Sequence, residues 1–378
     1  MIHFNFTSDC YSCSACASVC SAGAIRFDDR LLPVVDPDKC VDCGRCEQVC
    51  VKLKEPAYRP ALREDALGFV CRNTDEEERV SSSSGGVFIL LAKEVLAQGG
   101  SVCGCIYDDA FLPAHILTSD PATVRKMMGS KYVKSDMGDC IREMEAVLKS
   151  GRPVLFSGVP CQSAAVKSCL GHYPGLSIVN IVCHGSIERE FWQSFLARAR
   201  TQGEIADITM RDKSRGWDNY GLRIRYKDGK EHVTFRNQDG FFLRCFTSGL
   251  FQRERCLKCG YKGSAIAGDL LLGDGWGMEQ VCPEFCDAYG VSSVIALTQK
   301  GRSLLEAIEP RLLSRPIDVP QIVSRNGRIV SPAPDMAFRR RFQSKCRKDP
   351  AKIEQLCEEY ARPSFPKRVI NKLYALFH

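Results

Sequence analysis

The chain alternates between amphipathic segments and short apolar runs, a pattern typical of an α/β fold. The segment at 87–98 has apolar residues at helical spacing and ends at a Gly-Gly pair, which predicts a helix with a glycine C-cap. Apolar runs at 153–157 and 176–182 predict buried strands. Between them, the segment at 160–170 has proline in its first turn, which predicts a helix.

The same criteria predict the other elements. Further strands are predicted at 101–107, 111–118, 205–210, 222–226, 232–235, 269–272 and 291–298. Further helices are predicted at 121–128, 136–149 and 188–200, and the chain from residue 302 onward is predicted to be mostly helical. We therefore expect a mixed sheet covered by helices, with a helical C-terminus.

Composition narrows the class of protein. The chain has 378 residues, 44% of them hydrophobic, which is enough to bury a normal core in one large or two medium domains beside a small module. Its longest apolar run, at 87–92, is far too short to cross a membrane, and residues 1–7 lack the pattern of a signal peptide. These features predict a cytoplasmic protein in a reducing compartment.

The distribution of charge indicates less about the class of protein than the composition does. The formal net charge is +7, and the basic residues are mostly interspersed with acidic ones, except in a basic run at 339–348. Such a run is typical of a solvated helix face but would also suit an acidic partner or a membrane surface. The segment at 367–377 fits either a terminal helix packed on the body or an interfacial helix that contacts a membrane peripherally. No basic stripe with interleaved aromatic residues is present, so we expect no nucleic-acid partner.

Eight cysteines near the N-terminus form two copies of one spacing, offset by thirty residues. The spacing is typical of bacterial two-cluster 4Fe-4S ferredoxins, in which three thiolates of one copy bind a cubane and the fourth ligates the other cluster. We therefore assign one cluster to Cys10, Cys13, Cys16 and Cys50, and the other to Cys40, Cys43, Cys46 and Cys20. Zinc is disfavoured because the repeats hold triplets and no histidine, and disulfides would require an exported chain.

Fourteen further cysteines follow, far more than an ordinary cytosolic enzyme uses. Four of them could bind a third cubane: a C-x2-C pair and two cysteines that each follow a predicted strand, namely Cys256, Cys259, Cys161 and Cys183. Alternatively, the C-x2-C pair could join Cys282 and Cys286 in a zinc site. Spacing alone leaves both interpretations open.

A serine and glycine-rich stretch at 81–86 opens the predicted helix at 87–98. Its residues Ser84, Gly85 and Gly86 could let a phosphate approach free backbone N–H groups at the helix start. The stretch matches neither a Walker A loop nor a dinucleotide-binding fingerprint. A simple capped helix after a linker is the alternative.

Two other features are candidates for binding or catalysis. The glycine-rich loop at 273–277, with Asp274 and Trp276, follows a predicted strand and could contact a flat or phosphorylated ligand, although a plain turn would explain it too. His184 stands beside Cys183 and is a candidate proton donor, or else a histidine that is only hydrogen-bonded.

Taken together, these segments resemble the family of coenzyme F420 hydrogenase/dehydrogenase beta subunits. These iron-sulfur flavoproteins include deazaflavin-reducing subunits and plant 7-hydroxymethyl chlorophyll a reductase. The motifs that carry the resemblance follow one another in order at 84–86, 129–133, 158–162, 211–213, 216–217, 255–259, 273–277 and 290–292. Each motif is short, and the ordered set is specific.

The resemblance implies that the four cysteines at 161, 183, 256 and 259 bind a third 4Fe-4S cluster, which makes zinc the minority interpretation. It implies a fold of mixed class, α+β and α/β, in which a ferredoxin-like two-cluster module is fused to a mixed-sheet α/β flavin-binding catalytic domain. The expected boundaries are 1–56 for the two-cluster domain, 57–332 for the catalytic domain and 333–378 for a basic helical C-terminal segment.

The resemblance also implies FAD as a cofactor. Its phosphates or ring would lie near Lys131 and the stretch containing Ser84, Gly85 and Gly86, with the loop of Asp274 and Trp276 close by. Lys131 and His184 are then the candidate catalytic residues.

These features predict an iron-sulfur flavoprotein oxidoreductase. Cubane clusters pass single electrons, whereas a flavin can accept electrons singly and deliver two, so the chain would connect a redox partner protein or ferredoxin to a small-molecule substrate. That substrate is either the deazaflavin or another organic molecule, for example one linked to polysaccharide metabolism. The alternative is a non-catalytic electron-transfer subunit whose partner holds the substrate site.

Overall fold

The computed structural model describes residues 6–57, 59–335 and 338–361. Within these ranges the strands form sheets of two, three and eight strands. The strands are β1 Ile25–Phe27, β2 Pro33–Val35, β3 Leu67–Asn73, β4 Ser101–Tyr107, β5 Pro113–Thr118, β6 Val154–Gly158, β7 Leu176–Ile181, β8 Ile205–Asp212, β9 Gly221–Tyr226, β10 Glu231–Phe235, β11 Leu270–Asp274, β12 Ser292–Ala296 and β13 Leu312–Pro316.

The same ranges contain helices from one to three turns long. The α-helices are α1 Phe6–Asp9, α2 Ala15–Ser18, α3 Arg45–Val49, α4 Glu76–Ser81, α5 Val87–Ala97, α6 Pro121–Arg125, α7 Cys140–Lys149, α8 Pro160–Leu170, α9 Arg189–Arg200, α10 Phe241–Thr247, α11 Glu254–Leu257, α12 Gln299–Ile308, α13 Val319–Arg325, α14 Arg339–Lys348 and α15 Ile353–Ala361. Short 3-10 helices lie at Gly263–Ala265, Met278–Gln280, Pro283–Phe285, Glu309–Arg311, Gly327–Ile329 and Pro350–Lys352.

The eight-stranded sheet has the order β13-β3-β12-β11-β7-β6-β4-β5. Its centre is parallel, because β4, β6, β7 and β11 run in one direction, and antiparallel pairs extend it on both sides. The central strands β6 and β7 are almost fully buried, as expected when helices cover both faces. The carboxyl ends of β6, β7 and β11 therefore lie side by side, at the kind of edge where α/β sheets bind ligands. This mixed α/β sheet confirms the predicted fold class.

Of the three apolar cores that lie against the large sheet, two are formed with helices α5, α7 and α8. Helix α5 buries Ile89 and Leu90 in one core, which includes Leu155 of β6. Helices α7 and α8 bury Met144 and Val166 in the other. The burial of these helical faces fixes where α5 and α8 begin, and both starts lie at the ligand-binding edge of the sheet.

The three-stranded sheet β10-β9-β8 forms a separate unit with α9, α10, α14 and α15. Its core is rich in aromatic residues, including Trp192, Phe251 and Phe342. Helix α14 holds the basic run, and most of its charges face outward as expected of a solvated face. Arg339 does not, because it is buried and its Nη1 donates to the backbone carbonyl of Gln252 at 3.1 Å.

The N-terminal module repeats one backbone conformation in its two cysteine loops. Ser12 and Ser14 have φ values of 48° and 61°, and Asp42 and Gly44 have φ values of 49° and 71°. Left-handed backbone is uncommon for residues other than glycine, so its recurrence at matching places is informative. The thirty-residue sequence repeat is therefore a structural repeat, and each loop leads into a short helix, α2 or α3.

Several strands depart from the sequence expectations, among them the short strands β1 and β2 of the N-terminal module, which were not predicted. Strand β3 was not predicted, and β13 interrupts the part of the chain from residue 302 onward that was predicted to be mostly helical. Strand β13 is an edge strand with four of its five residues exposed, so its sequence lacks the apolar pattern of a buried strand. The helices predicted at 121–128 and 136–149 are shorter than expected, since α6 ends at Arg125 and α7 begins at Cys140.

The terminal helix predicted at 367–377 lies outside the described residues. In the part of the chain that the structure describes, no helix has both the length and the apolar character needed to cross a membrane.

Candidate functional site

The cysteine group nearest the surface, here called the outer group, consists of Cys20, Cys40, Cys43 and Cys46. All four line one small cavity of the N-terminal module. The set includes Cys20 from the other repeat, as the exchanged assignment predicts. Cys43 is exposed, and the neighbouring Val41 is 70% exposed.

The second set, here called the inner group, consists of Cys10, Cys13, Cys16 and Cys50. Burial raises the pKa of Cys10 and Cys13, and it raises the pKa of Cys16 to about 12, with Cys10 and Cys50 adding to the effect. Thiols that lie so close together cannot all ionise unless a metal replaces their protons. The structure thus brings together the second predicted ligand set.

A third group of cysteines meets where the N-terminal module contacts the large sheet. Cys161 lies in the first turn of α8, directly after β6, and Cys183 follows β7. Cys256 lies in α11, and Cys259 follows that helix two residues later. These four residues, the third group, line one pocket together with Cys10 of the inner group. The structure therefore places segments that are far apart in sequence around one point.

The chemistry of the third group fits a cluster. The backbone N–H of Gly185 lies 3.3 Å from Sγ of Cys183, and the N–H of Ser186 lies 3.5 Å from Sγ of Cys256. Hydrogen bonds of this kind stabilise ligating sulfurs. Burial raises the pKa of Cys183 to about 11 and also raises the pKa of Cys259. Both thiols therefore stay protonated unless a metal takes the place of the proton.

Cys282 and Cys286 lie elsewhere. They contact each other, and Cys282 is buried in a separate apolar core with Leu271 and Ile322. The structure does not bring this pair to the third group. Over the described ranges, no three His, Cys, Asp or Glu side chains converge so as to hold a single metal ion. Ligands of a four-iron cluster are spread more widely, because each thiolate binds a different iron.

Polar contacts hold the N-terminal module against the body beside the third group. Nη2 of Arg255 donates to Oη of Tyr11 at 2.9 Å and also pairs with the carboxylate of Glu55. Oη of Tyr261 donates to the carbonyl of Val51 at 2.7 Å. We call these contacts the junction clamp, and they fix the inner and third groups relative to each other.

A cavity of about 440 Å³, here called the large cavity, lies at the carboxyl ends of β6, β7 and β11. Its volume is in the range of small-molecule and cofactor sites. The large cavity and the pocket of the third group share Lys134, Cys183, Gly185 and Ser186 as lining residues. Only a thin wall therefore separates the two.

The start of α5 forms part of the large cavity. The serines at 82–84 and Gly86 line it, and Gly86 is the N-cap of α5 with φ of 77° and no side-chain cap. Such a helix start suits an anion. Gly85 does not line the cavity. A side chain there would overlap the backbone of Cys71 and Ser292, so this glycine allows the turn to pack closely on the sheet.

Arg211 and Asp274 form a buried ion pair in the cavity wall. Nη1 and Nη2 of Arg211 lie 3.1 and 3.2 Å from the two carboxylate oxygens, and the Arg211 side chain is 3% exposed. The hydroxyl of Ser84 donates to the same carboxylate. Asp274 therefore ties its loop to the start of α5. Trp276, on that loop, stacks on Trp217 with ring centroids 4.3 Å apart.

Lys131 and His184, the candidate catalytic residues, both line the large cavity. Nζ of Lys131 donates to the carbonyls of Met128 and Gly129 at 3.0 and 3.2 Å, and burial lowers its pKa. Lys131 is thus held by its own loop. Burial lowers the pKa of His184 to about 4, so its imidazole is neutral near pH 7 and is poorly suited to the role of proton donor that the sequence suggested.

The lining of the large cavity fits a ligand that combines phosphate and a flat ring. Nδ1 of His115 and Nε of Arg211 are buried there without a hydrogen-bond partner in the described structure, which a polar ligand would supply. Tyr132 and Phe246 also line the cavity and stack with ring centroids 4.3 Å apart. Hydroxyls, an open helix start and aromatic faces are the groups that a dinucleotide cofactor would use.

Sequence reasoning missed the cations around the third group. The pocket is lined by four of them, Lys134, Arg253, Arg255 and Lys262, and by no carboxylate of the described residues. Arg255 lies in the motif at 255–259, and Lys134 follows the motif at 129–133. The spacing of residues along the chain did not indicate that either side chain lies beside the cysteines. A search for basic residues within three positions of the candidate ligands would have found Arg253, Arg255 and Lys262, together with Lys258, which does not line the pocket, and would have missed Lys134.

Three cysteine groups in succession, with a ligand-sized cavity at the end, define an iron-sulfur oxidoreductase. Residues 9–52 match the family model of the 4Fe-4S dicluster domain, and residues 151–317 match that of the C terminus of the coenzyme F420 hydrogenase/dehydrogenase beta subunit. These two segments of the chain are thus similar to 4Fe-4S dicluster domains and to the C-terminal part of the F420 hydrogenase/dehydrogenase beta subunits. The resemblance found in the sequence is confirmed.

Individual proteins show more distant similarity. A coenzyme F420-dependent sulfite reductase of Methanocaldococcus jannaschii is 25% identical over 173 residues, which cover 44% of this chain and 26% of that protein. The F subunit of the F(420)H(2) dehydrogenase from Methanosarcina mazei is 22% identical over 245 residues, covering 59% of this chain and 66% of the relative. The matches thus span less than two thirds of either relative's length.

Among solved structures, a chain of the F420-reducing NiFe hydrogenase complex from Methanosarcina barkeri is similar with a TM-score of 0.49 and 17% identity. The match covers 79% of this chain and 93% of that one.

Proposed function

We propose that this chain is an iron-sulfur flavoprotein oxidoreductase that exchanges electrons between a redox partner protein, such as a ferredoxin, and a small-molecule substrate. The observation that carries the proposal is the succession of sites. The outer group lies near the surface, Cys10 of the inner group lines the pocket of the third group, and Cys183 of the third group lines the large cavity. Each of the three groups would hold one 4Fe-4S cluster.

FAD is the cofactor proposed for the large cavity. Ser84, Gly86 and Lys131 would hold it at the start of α5, with Asp274 and Trp276 in the adjoining wall. When bound, FAD would supply the exchange between one-electron and two-electron chemistry. Lys131 and His184 are the proposed catalytic side chains, and the imidazole of His184, which burial keeps neutral near pH 7, would act there as a hydrogen-bonding group.

The substrate and the setting are also part of the proposal. The names of the relatives make the deazaflavin F420 the first substrate to test, ahead of an organic molecule linked to polysaccharide metabolism. We propose a cytoplasmic protein with domain boundaries at 56/57 and 332/333. Peripheral membrane contact through the C-terminal segment is a further proposal, to be tested by vesicle binding.

The first experiment measures iron, sulfide, zinc and flavin in protein purified without oxygen. The proposal expects about twelve irons and one FAD per chain, the sum of three cubanes and one flavin. About eight irons without flavin, the content of two ferredoxin cubanes, would contradict it. Zinc in place of the last four irons would sink the third-cluster assignment.

A second candidate function is that of a non-catalytic electron-transfer subunit. It is favoured by the relative in Methanosarcina mazei, which is by name one subunit of a dehydrogenase. Turnover of F420 or another small acceptor by the purified chain alone, with reduced ferredoxin as donor, would exclude this candidate. Reduction of the clusters without turnover would favour it.

A further inference from the structure

Lys134 is a buried lysine without an anionic partner. The residue is 4% exposed and lines both the pocket of the third group and the large cavity. Its Nζ lies 3.9 Å from Sγ of Cys161, and no carboxylate in the described ranges pairs with it. Glu188, which lines a small neighbouring pocket with Lys134, is paired instead with Arg30 and Arg347, each at 3.4 Å.

Two of the three other cations of that pocket, Arg255 and Lys262, have partners within the protein, whereas Arg253 is 8% exposed and has no ion pair among the described residues. Arg255 pairs with Glu55 in the junction clamp. Nζ of Lys262 donates to the carbonyls of Cys183 and Arg328, both at 2.6 Å. For Lys134, the thiol of Cys161 is the side chain's hydrogen-bond partner.

A buried ammonium without a counter-charge is costly, so the folded protein has to supply a negative charge near Nζ of Lys134. A 4Fe-4S cluster with four thiolates supplies it, since it carries about two negative charges when oxidised and about three when reduced. We infer that Lys134 is the counter-ion of the third cluster. This inference rests on the proposed function, because it requires a cluster at the third group.

The charge of Lys134 stabilises the reduced, more negative cluster more than the oxidised one. Lys134 therefore raises the reduction potential of the third cluster, and raises it most clearly relative to the outer cluster, whose cavity Lys134 does not line. In this role Lys134 places a positive charge beside the cluster and does not bind its iron. The expected result is that an electron which enters the module settles on the third cluster, beside the large cavity.

The test is a dithionite titration of the full chain under anaerobic conditions, followed by electron paramagnetic resonance. In K134M the potential of the third cluster should become more negative, and that of the inner cluster should move less in the same direction, because Cys13 also lies within reach of the charge on Lys134. The potential of the outer cluster, whose cavity Lys134 does not line, should stay at its wild-type value. K134R, which keeps the charge, should remain close to wild type. K300M is the matched control, because Nζ of Lys300 is partly buried on the carbonyl of Pro174, away from the cysteine groups.

Each possible result either supports or overturns the inference that Lys134 is the counter-ion. An unchanged third-cluster potential in K134M would overturn the inference, as would equal shifts in K134M and K134R, since shape rather than charge would then matter. Loss of about four irons in K134M with full iron in K134R would support it. If K134M is insoluble, K134Q takes its place with the same expected shift. Wild-type protein with about eight irons would overturn the proposed function itself, before any variant is made.

Discussion

The outer and third cysteine groups differ in exposure and in the charge around them. The outer group lies near the surface beside the exposed Val41, and its cavity is lined by one acid and one base, Asp42 and Arg45. The third group lies behind the N-terminal module, and among the described residues its pocket is lined by four cations and no acid. The same ligand chemistry thus occurs in two opposite environments.

This difference separates two tasks. A cluster near the surface can exchange electrons with another protein, but water and oxygen reach it as well. A cluster in a buried, cationic pocket is protected, and its reduced state is favoured by the surrounding charge. We infer that the outer group exchanges electrons with a partner and that the third group holds them next to the large cavity.

The largest expected effect is that of Cys256→Ser, which should remove one cluster, about four irons, and leave the signals of the two module clusters unchanged. The reason is that each iron of a cubane needs a thiolate, and the substitution leaves only three thiolates in the buried pocket. Iron analysis and electron paramagnetic resonance measure this result. Cys282→Ser is the matched control and should retain all the iron, and iron loss there instead would contradict the assignment.

A milder test of the comparison is removal of metal from the wild-type protein. With a ferrous chelator and a mild oxidant, the cluster of the outer group should be lost first and that of the third group last, because Cys43 is exposed and the third group is covered. Iron release over time, with spectra of each stage, records the order. Loss of all clusters at one rate would show that the difference in exposure has no consequence.

A smaller effect is expected from Asp274→Asn, which should lower the free energy of unfolding by about 3 kcal/mol. This change leaves Arg211 buried without its counter-charge. Thermal unfolding measures the effect. Asp36→Asn breaks the exposed pair with Lys39 on the N-terminal module and should lower the free energy of unfolding much less than Asp274→Asn does. Equal losses in the two variants would contradict the assignment of Arg211 and Asp274 to a buried pair.

The smallest expected effect is a change in pH dependence at His115, in the wall of the large cavity. Burial lowers the pKa of His115 to about 4, below its unfolded value of about 6.5. The unfolded chain therefore binds a proton that the folded chain does not, and stability falls as the pH falls from about 6.5 to about 4.

His115→Gln should remove this contribution, which is at most about 1.4 kcal/mol per pH unit. Thermal unfolding of wild type and variant at pH 7 and pH 5.5 measures the difference, in which acid effects common to both proteins cancel. His232→Gln, at an exposed position, serves as the control. A wild-type slope in His115→Gln would contradict the prediction.

The sequence predicted the N-terminal ligand sets because a cubane needs closely spaced thiolates, and spacing is visible in a linear chain. For the third group, spacing could not decide between a 4Fe-4S cluster and a zinc site, because its cysteines come from distant segments that only the folded sheet brings together. Strand β13 was missed because an exposed edge strand has no apolar pattern. Lys134 was missed because a lysine in a loop is ordinarily solvated, and only its burial beside Cys161 shows otherwise.

The junction clamp has a mechanical consequence. Electron transfer between centres falls steeply with distance, and Tyr11, Glu55 and Arg255 hold the inner group at a fixed separation from the third group. If each group holds a cluster as proposed, the electron-transfer step between these two groups needs no hinge motion and no docking encounter. Its rate should be the same in a viscous solvent as in water, so that only the arrival of the partner and of the substrate is slowed by a crowded cell.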